Sequence, residues 1–323
     1  MPRSLFLAAL ALIVPTLASA ESLTLYTSQP NEDAQKTVDA FKAANPGIEV
    51  NWVRDGTTKL MARLSAETAA GSVQPDVLLI SDTVTLEGMA QQGQLAAYKS
   101  PEAAAYDPAL YSAKGYYYST KLITTGIAYN TAVKEVPTSW ADLARPEMAG
   151  KVVMPSPLYS GAALIHLATL TGAEGLGWDY YKALAANKTG AEGGNGGVFK
   201  AVAAGEKPYG VLVDYMALRA KAEGAPVDFV FPKEGVSYVT EPVAILASST
   251  HKAAAEKFVD FLLSKAGQDL VVDMGYIPAR NGMASPKGFP ARADIRLMAF
   301  DPAKALAEAD ANKARFSEIF GIQ

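Results

Sequence analysis

Two hydrophobic periods alternate along the chain. Ser22–Ser28 (S-L-T-L-Y-T-S) switches between polar and apolar positions and is rich in β-formers, which predicts a first strand. Asn31 to Ala44 sets Ala34, Val38, Phe41 and Ala44 at near-helical spacing and stops at Asn45-Pro46-Gly47. Ile48–Val53 reads as a second strand and Thr57–Ala70 as a second helix. Asp76–Ile80 (D-V-L-L-I) is wholly apolar after its first residue, the pattern of a parallel strand buried on both faces, and Thr83–Gln92 is a third helix. This order predicts a parallel α/β layer.

A second set follows. Leu122–Tyr129, Lys151–Met154 and Tyr209–Val213 (Y-G-V-L-V) are strand-like, and Tyr116-Tyr117-Tyr118 has the same character. Helices are expected at Trp140–Leu143, Ser160–Leu170, Asp179–Ala186, Val198–Ala204 and Tyr215–Glu223. Val236–Ala247 returns as an extended apolar segment. His251–Leu263 and Lys265–Met274 are helical, and helices near Pro290–Phe300 and Ala303–Phe320 close the chain. Neither a low-complexity linker nor a short repeat interrupts the pattern.

With 323 residues, and about 100–200 residues per domain, two domains are expected. A content of 50% hydrophobic and 19% charged residues excludes a disordered chain and a polytopic membrane protein. The net charge of −4 argues against nucleic acid as a partner. The absence of cysteine removes disulfides, thiolate nucleophiles and cysteine-ligated metals together. The two histidines, His166 and His251, are too few for a multi-histidine metal site. His166 falls about two turns into a helix and is expected packed or half-exposed, while His251 starts an amphipathic helix and is expected in solvent. Catalytic patterns are lacking: there is no G-x-S-x-G elbow and no H-E-x-x-H.

Met1–Ala20 joins Arg3, an apolar run from Leu5 to Leu17 and a final Ala18-Ser19-Ala20, the form of a secretory signal peptide. The run is too short to span a bilayer, which takes about 20 apolar residues. Its removal would leave a soluble chain starting at Glu21, with a net charge of −5, placed in the periplasm.

Open α/β sheets bind ligands beyond the carboxyl ends of their strands. At those junctions the chain is polar: Thr27-Ser28-Gln29-Pro30, Asp55-Gly56-Thr57-Thr58, Ser81-Asp82, Tyr159-Ser160-Gly161, Gly193–Gly197 and Asp214-Tyr215. In Ser156–Ala163, Ser160 stands at a helix start and Gly161 and Ala162 leave the first-turn N–H groups unobstructed. Such an end serves equally as a plain cap or as a seat for phosphate, phosphonate or carboxylate. Gly193–Gly197 lacks the Gly-Lys-Ser/Thr ending and the dinucleotide spacing, so it reads as a bend presenting the Asn195 amide. Asp214 and Tyr215 could grip an ammonium group, or Tyr215 a metal. Glu241, among Val239, Pro242 and Val243, must be either ion-paired internally or aimed at a cation.

Several segments, in this order and spacing, resemble the periplasmic solute-binding proteins of ABC importers: L-T-L-Y-T-S-Q, P-D-V-L-L, G-I-A-Y-N, P-T-S-W-A-D-L, Ser160-Gly161-Ala162, A-V-A-A-G-E, E-P-V-A-I-L and A-A-A-E-K-F-V-D-F-L-L-S-K-A-G-Q. The similarity is to the group that holds ferric-ion binders and binders of 2-aminoethylphosphonate and organophosphates. It runs from about Leu23 to about Arg280. It implies a two-lobed α/β fold of the type II periplasmic-binding-protein kind, each lobe a mainly parallel sheet flanked by helices. The lobes would comprise residues 21–122 with 242–285 and residues 123–241, with 286–323 as C-terminal helices packing on them.

The resemblance further implies a monomer without cofactor or catalytic residues, delivering a small ligand to the transmembrane subunits of a permease. Ser160, Gly161, Ala162 and Asn195 would hold an anion from the second lobe, and Ser28, Thr58 and Ser81 from the first. Asp82, Asp214, Tyr215 and Glu241 would meet an amine or hydroxyl. Iron-binding relatives carry adjacent tyrosines where this chain has Tyr215-Met216, and some carry a histidine where it has Gln29-Pro30-Asn31. A thioether is a poor ligand for ferric iron. The expected ligand is therefore an organophosphonate or organophosphate, 2-aminoethylphosphonate first, with ferric iron as the alternative.

Overall fold

The computed structural model describes residues 21–191 and 193–322, so the expected leader Met1–Ala20 lies outside the described residues. The chain alternates through β1 (Glu21–Thr27), α1 (Asn31–Ala44), β2 (Ile48–Arg54), α2 (Thr57–Ala69), β3 (Val77–Leu79) and α3 (Thr83–Gln91). It then reaches β4 (Tyr118–Ser119) and the long β5 (Lys121–Asn130). After α4 (Trp140–Leu143) and β6 (Val152–Val153) come α5 (Gly161–Thr171), α6 (Gly177–Ala186) and α7 (Asn195–Ala203). The strands β7 (Tyr209–Val213), β8 (Val227–Val230), β9 (Ser237–Val239) and β10 (Pro242–Ile245) enclose α8 (Asp214–Ala222) between the first two. Helices α9 (Lys252–Leu263) and α10 (Lys265–Asp273), strand β11 (Ile277–Pro278) and the long α11 (Pro302–Phe320) finish the chain.

Two sheets result, and with their helices they form the two lobes of a type II periplasmic-binding-protein fold. The first has the order β2-β1-β3-β10-β4, with β1 parallel to β2 and β3, and β10 antiparallel to β3 and β4. Around it pack Leu23, Leu25, Phe41, Val77, Phe258 and Val259. The second is organised on β5, which pairs with β7 on one side and with β8 and β9 in succession along its length. These pairings are antiparallel, as is β11 with β5, and only β6 with β7 is parallel. The second lobe is therefore not the mainly parallel sheet expected. Its central strand arrives from the first lobe, and the later strands return alongside it in the opposite direction.

The connections between sheets run side by side. Thr120 and Lys121 donate their N–H groups to the Thr240 carbonyl at 3.1 and 3.3 Å, and the Thr120 hydroxyl donates to the Glu241 carbonyl at 2.7 Å. Glu241 turns here through φ +38°, a left-handed conformation costly for a residue with a Cβ. The helix expected near Pro290–Phe300 is only a short 3₁₀ turn at Arg292–Asp294, and Leu297 pairs instead with Val236 in extended backbone. Of the three adjacent tyrosines only Tyr118 enters a strand; the Tyr117 hydroxyl donates to Glu87 at 2.8 Å. An apolar cluster of Val84, Ile123, Ala162, Ile165, Val213, Val239, Tyr276 and Ala305 joins the lobes. Helix α11 packs on both: Leu306 meets Gly88 of α3, while Phe316 is fully buried in the second core.

Candidate functional site

Between the lobes lies a cavity of about 410 Å³. Its lining comes from the carboxyl ends of strands and the first turns of helices. Ser28 and Pro30 follow β1, Arg54 ends β2, Gly56 and Thr57 open α2, and Ser81 follows β3. From the second lobe come Tyr159 to Ala162 at the start of α5, Gly193 to Gly197 at the start of α7, and Tyr215 and Met216 in the first turn of α8.

These helix ends are unusually bare. No side chain caps α2, α7 or α8, whose N-cap positions are Gly56, Gly194 and Val213. At α5 the Ser160 hydroxyl accepts from Ala163 N–H at 3.4 Å. A Cβ on Gly196 or Gly197 would meet nothing within 4 Å, so the α7 end stands open. A helix start carries unpaired N–H groups and about half a positive charge, and the first turns of α2, α5, α7 and α8 all border this one space, although at α8 the Tyr215 N–H is already taken by Asp214 Oδ1 at 2.6 Å. The Asn195 amide ties two of them together. Its Nδ2 donates to Ser160 Oγ at 3.4 Å, and its Oδ1 accepts from Val213 N–H at 3.3 Å.

The side-chain charges reinforce this field. Arg54 reaches the cavity, held by its Nε donating to the Gln29 carbonyl at 2.8 Å. Glu241 is an acid among the lining residues, but its carboxylate lies 2.5 Å from the Lys121 ammonium, and both side chains are almost wholly buried. It also accepts from Gln29 Nε2 at 3.2 Å and Ser81 Oγ at 3.4 Å. Of the two roles open to Glu241, the internal ion pair is the one formed. Tyr215 lines the cavity with its pKa raised, chiefly by burial and then by Glu241 and Asp33, so it stays a neutral phenol able to donate.

The candidates read from sequence thus separate. Ser28, Ser81, Ser160, Gly161, Ala162, Asn195, Tyr215 and Glu241 come together around the cavity. Thr58 does not line it; its hydroxyl donates to the Tyr159 carbonyl across the lobes at 3.1 Å, while Thr57 takes the lining position. Asp82 is buried and caps α3 through Thr85 N–H at 3.0 Å; burial raises its pKa against the lowering effect of the Thr85 bonds. Asp214 is buried too, accepting from Thr124 N–H at 3.0 Å, Thr124 Oγ1 at 2.7 Å and Tyr215 N–H at 2.6 Å. Burial pushes Asp214 up to about 6 despite those donors. Its carboxylate serves the joint between β5 and α8, not the cavity. His166 packs against Trp140 and lies 2.8 Å from Ser237 Oγ, and His251 is exposed as expected, with its Nδ1 3.1 Å from Asp76.

Sequence reading missed Arg54. A cation at the last position of a strand, just before a glycine-led helix, was the available signal. It also missed why residue 161 is glycine: a Cβ there would come within 2.6 Å of the Ser81 carbonyl across the cleft. No group of acids, histidines and cysteines suited to a metal ion occurs among the described residues.

Residues 73–304 match the family model described as bacterial extracellular solute-binding protein. A Haemophilus influenzae protein of unassigned function is 31% identical over 269 residues, which is 78% of this chain and 76% of that protein. Among solved structures, the periplasmic binding protein AfuA of Actinobacillus pleuropneumoniae, with fructose 6-phosphate bound, superposes with a TM-score of 0.84 at 23% identity. That match covers 94% of this chain and 99% of AfuA. Iron-bound HitA of Pseudomonas aeruginosa has a TM-score of 0.79 at 26% identity, over 91% of this chain and 99% of HitA. The chain belongs to the bacterial extracellular solute-binding proteins. It is accordingly the periplasmic solute-binding component of an ABC importer, in a family that hands small solutes to a membrane transporter.

Proposed function

We propose that this protein captures a small organophosphate or organophosphonate in the interlobe cavity. The observation that carries the reading is the convergence of the α2, α5, α7 and α8 N-termini, those of α2 and α7 without any side-chain cap, on one space that also receives Arg54. Such an array of N–H donors suits a tetrahedral dianion with several acceptor oxygens. Ser160, Gly161, Ala162 and Asn195 would take the phosphoryl oxygens from the second lobe, and Ser28, Ser81 and Arg54 from the first. The Tyr215 phenol adds a further donor. An amine head, as in 2-aminoethylphosphonate, would meet Glu241, whose charge is already shared with Lys121. Polyol phosphates therefore fit the cavity's polarity at least as well. AfuA, with its bound fructose 6-phosphate, supports that class.

Ferric iron fits less well. The cavity brings together two tyrosines from separate elements, Tyr159 and Tyr215, with one neutralised acid and an arginine, and Met216 stands beside Tyr215. A hard trivalent cation would face the positive ends of several helices.

Thermal-shift screening with fructose 6-phosphate, 2-aminoethylphosphonate, glycerol phosphates, ferric citrate and spermidine tests the reading. A phosphoryl ligand at a hundredfold excess over its dissociation constant should add about 2.7 kcal/mol to stability. Stabilisation by spermidine or ferric citrate alone, with no response to any phosphoryl compound, would overturn it. Closure around the ligand follows if it touches both lobes, because only then does it favour the closed form.

A further inference from the structure

At the flank of the cleft, outside the cavity lining, Asp33 of α1 faces Arg219 of α8. Arg219 Nη1 lies 3.1 and 3.3 Å from the two Asp33 oxygens. The Asp33 side chain is only 2% exposed, and it also accepts the Tyr276 hydroxyl. The guanidinium sits over two rings, 4.7 Å from the Tyr215 centroid and 4.4 Å from that of Tyr276, and those rings are themselves 4.5 Å apart. Gly275, at φ +76°, leaves room for it, since a Cβ there would approach Arg219 Nε to 3.0 Å. Yet Nε and Nη2 are enclosed without a hydrogen-bond partner among the described residues.

Those features suit a contact that can be made and broken. A guanidinium with unpaired N–H groups is poorly satisfied when buried and would regain water once the lobes part. Asp33 belongs to the first lobe and Arg219 to the second, so opening separates them. Tyr215 lies one helical turn before Arg219 and presents its ring to the cavity.

We propose that Asp33 and Arg219 form an interlobe latch that lets the lobes close before ligand arrives, with Arg219 also fixing the Tyr215 ring in its binding position. Arg219 is a positioning residue: it reaches the ligand only through Tyr215. A latch of this kind raises apparent affinity by enlarging the fraction of molecules already closed. The proposal rests on the two-lobed fold and not on the identity of the ligand, so failure of the organophosphorus reading leaves it standing.

The lack of native cysteine allows a clean test. Lys99→Cys in the first lobe and Glu206→Cys in the second are both exposed and take spin labels, and pulsed electron resonance reads their separation without ligand. Asp33→Asn, which keeps an acceptor for Tyr276, should lower the closed-to-open ratio about tenfold. Arg219→Met should give the same shift, the double variant no more than either alone, and Arg219→Lys a partial return. Thermal unfolding of each ligand-free variant serves as the fold check, and Arg219 is partly exposed, so at least that arm stays folded. An unchanged distance distribution, or additive effects in the double variant, would overturn the latch.

Discussion

The Lys121 ammonium lies 2.5 Å from the Glu241 carboxylate, with both side chains no more than 2% exposed, at the place where the chain crosses between lobes. Lys121 also lies over the Tyr276 ring, 4.1 Å from its centroid. The pair removes the net negative charge that Glu241 would otherwise give the cavity, and so makes an acid compatible with an anionic ligand. Burying two charges is costly, and breaking one such pair is worse than never having built it. Lys121→Met and Glu241→Gln should each lower unfolding free energy by about 3–5 kcal/mol. The double variant should lose less than the sum, which urea titration of the three proteins can measure. Full additivity would show that the two charges do not depend on each other.

Gly161 separates stability from binding. It opens α5, its Cβ position faces the Ser81 carbonyl at 2.6 Å, and backbone cannot yield there as a flexible side chain would. Gly161→Ala suits a helix and should leave the open form as stable as before, or up to about 1 kcal/mol more so. The closed form cannot accommodate the methyl group. Affinity for whichever phosphoryl compound gives the largest thermal shift should fall at least about a hundredfold, because closure supplies the contacts from the first lobe. Retained affinity in calorimetry would mean that ligand binds without this approach of the lobes.

Arg54 tests the sign of the site. Hydrogen bonds to a charged partner contribute about 1.5–3 kcal/mol, so Arg54→Met should weaken a phosphoryl ligand roughly 10- to 150-fold. Arg54→Glu should abolish binding of the anion while leaving the fold intact, since the residue is partly exposed at the end of β2. If neither substitution alters the titration, the helix ends act without it.

Much of this arrangement was legible in the chain, and for a physical reason. Strand–helix junctions announce themselves through local chemistry, and the polar stretches at Ser28, Ser81, Ser160 and Asn195 do fall on one cavity. What stayed hidden depends on partners far away in sequence. Asp214 looked like a site acid until Thr124, ninety residues earlier, claimed it with two donors. Glu241 left two roles open until Lys121 appeared beside it. The second sheet misled in the same way: apolar runs reveal strands but not their direction, and β5 reverses the pairing of all its neighbours.

His166 supplies a prediction that concerns stability alone. It is buried in α5 against Trp140, and burial lowers its pKa from 6.5 to about 3. The folded protein therefore keeps the ring neutral across a range where the unfolded chain takes up a proton. Because the unfolded state binds more protons there, stability falls as pH drops, starting near 6.5 and continuing toward 3. At pH 5 the loss relative to pH 7.5 should be about 2 kcal/mol from this one group. His166→Gln, which keeps a polar partner for Ser237, should remove that share of the pH dependence even if it lowers stability at every pH. Urea midpoints of the two proteins at pH 7.5 and pH 5 would decide it: parallel losses would mean that His166 does not carry the acid sensitivity.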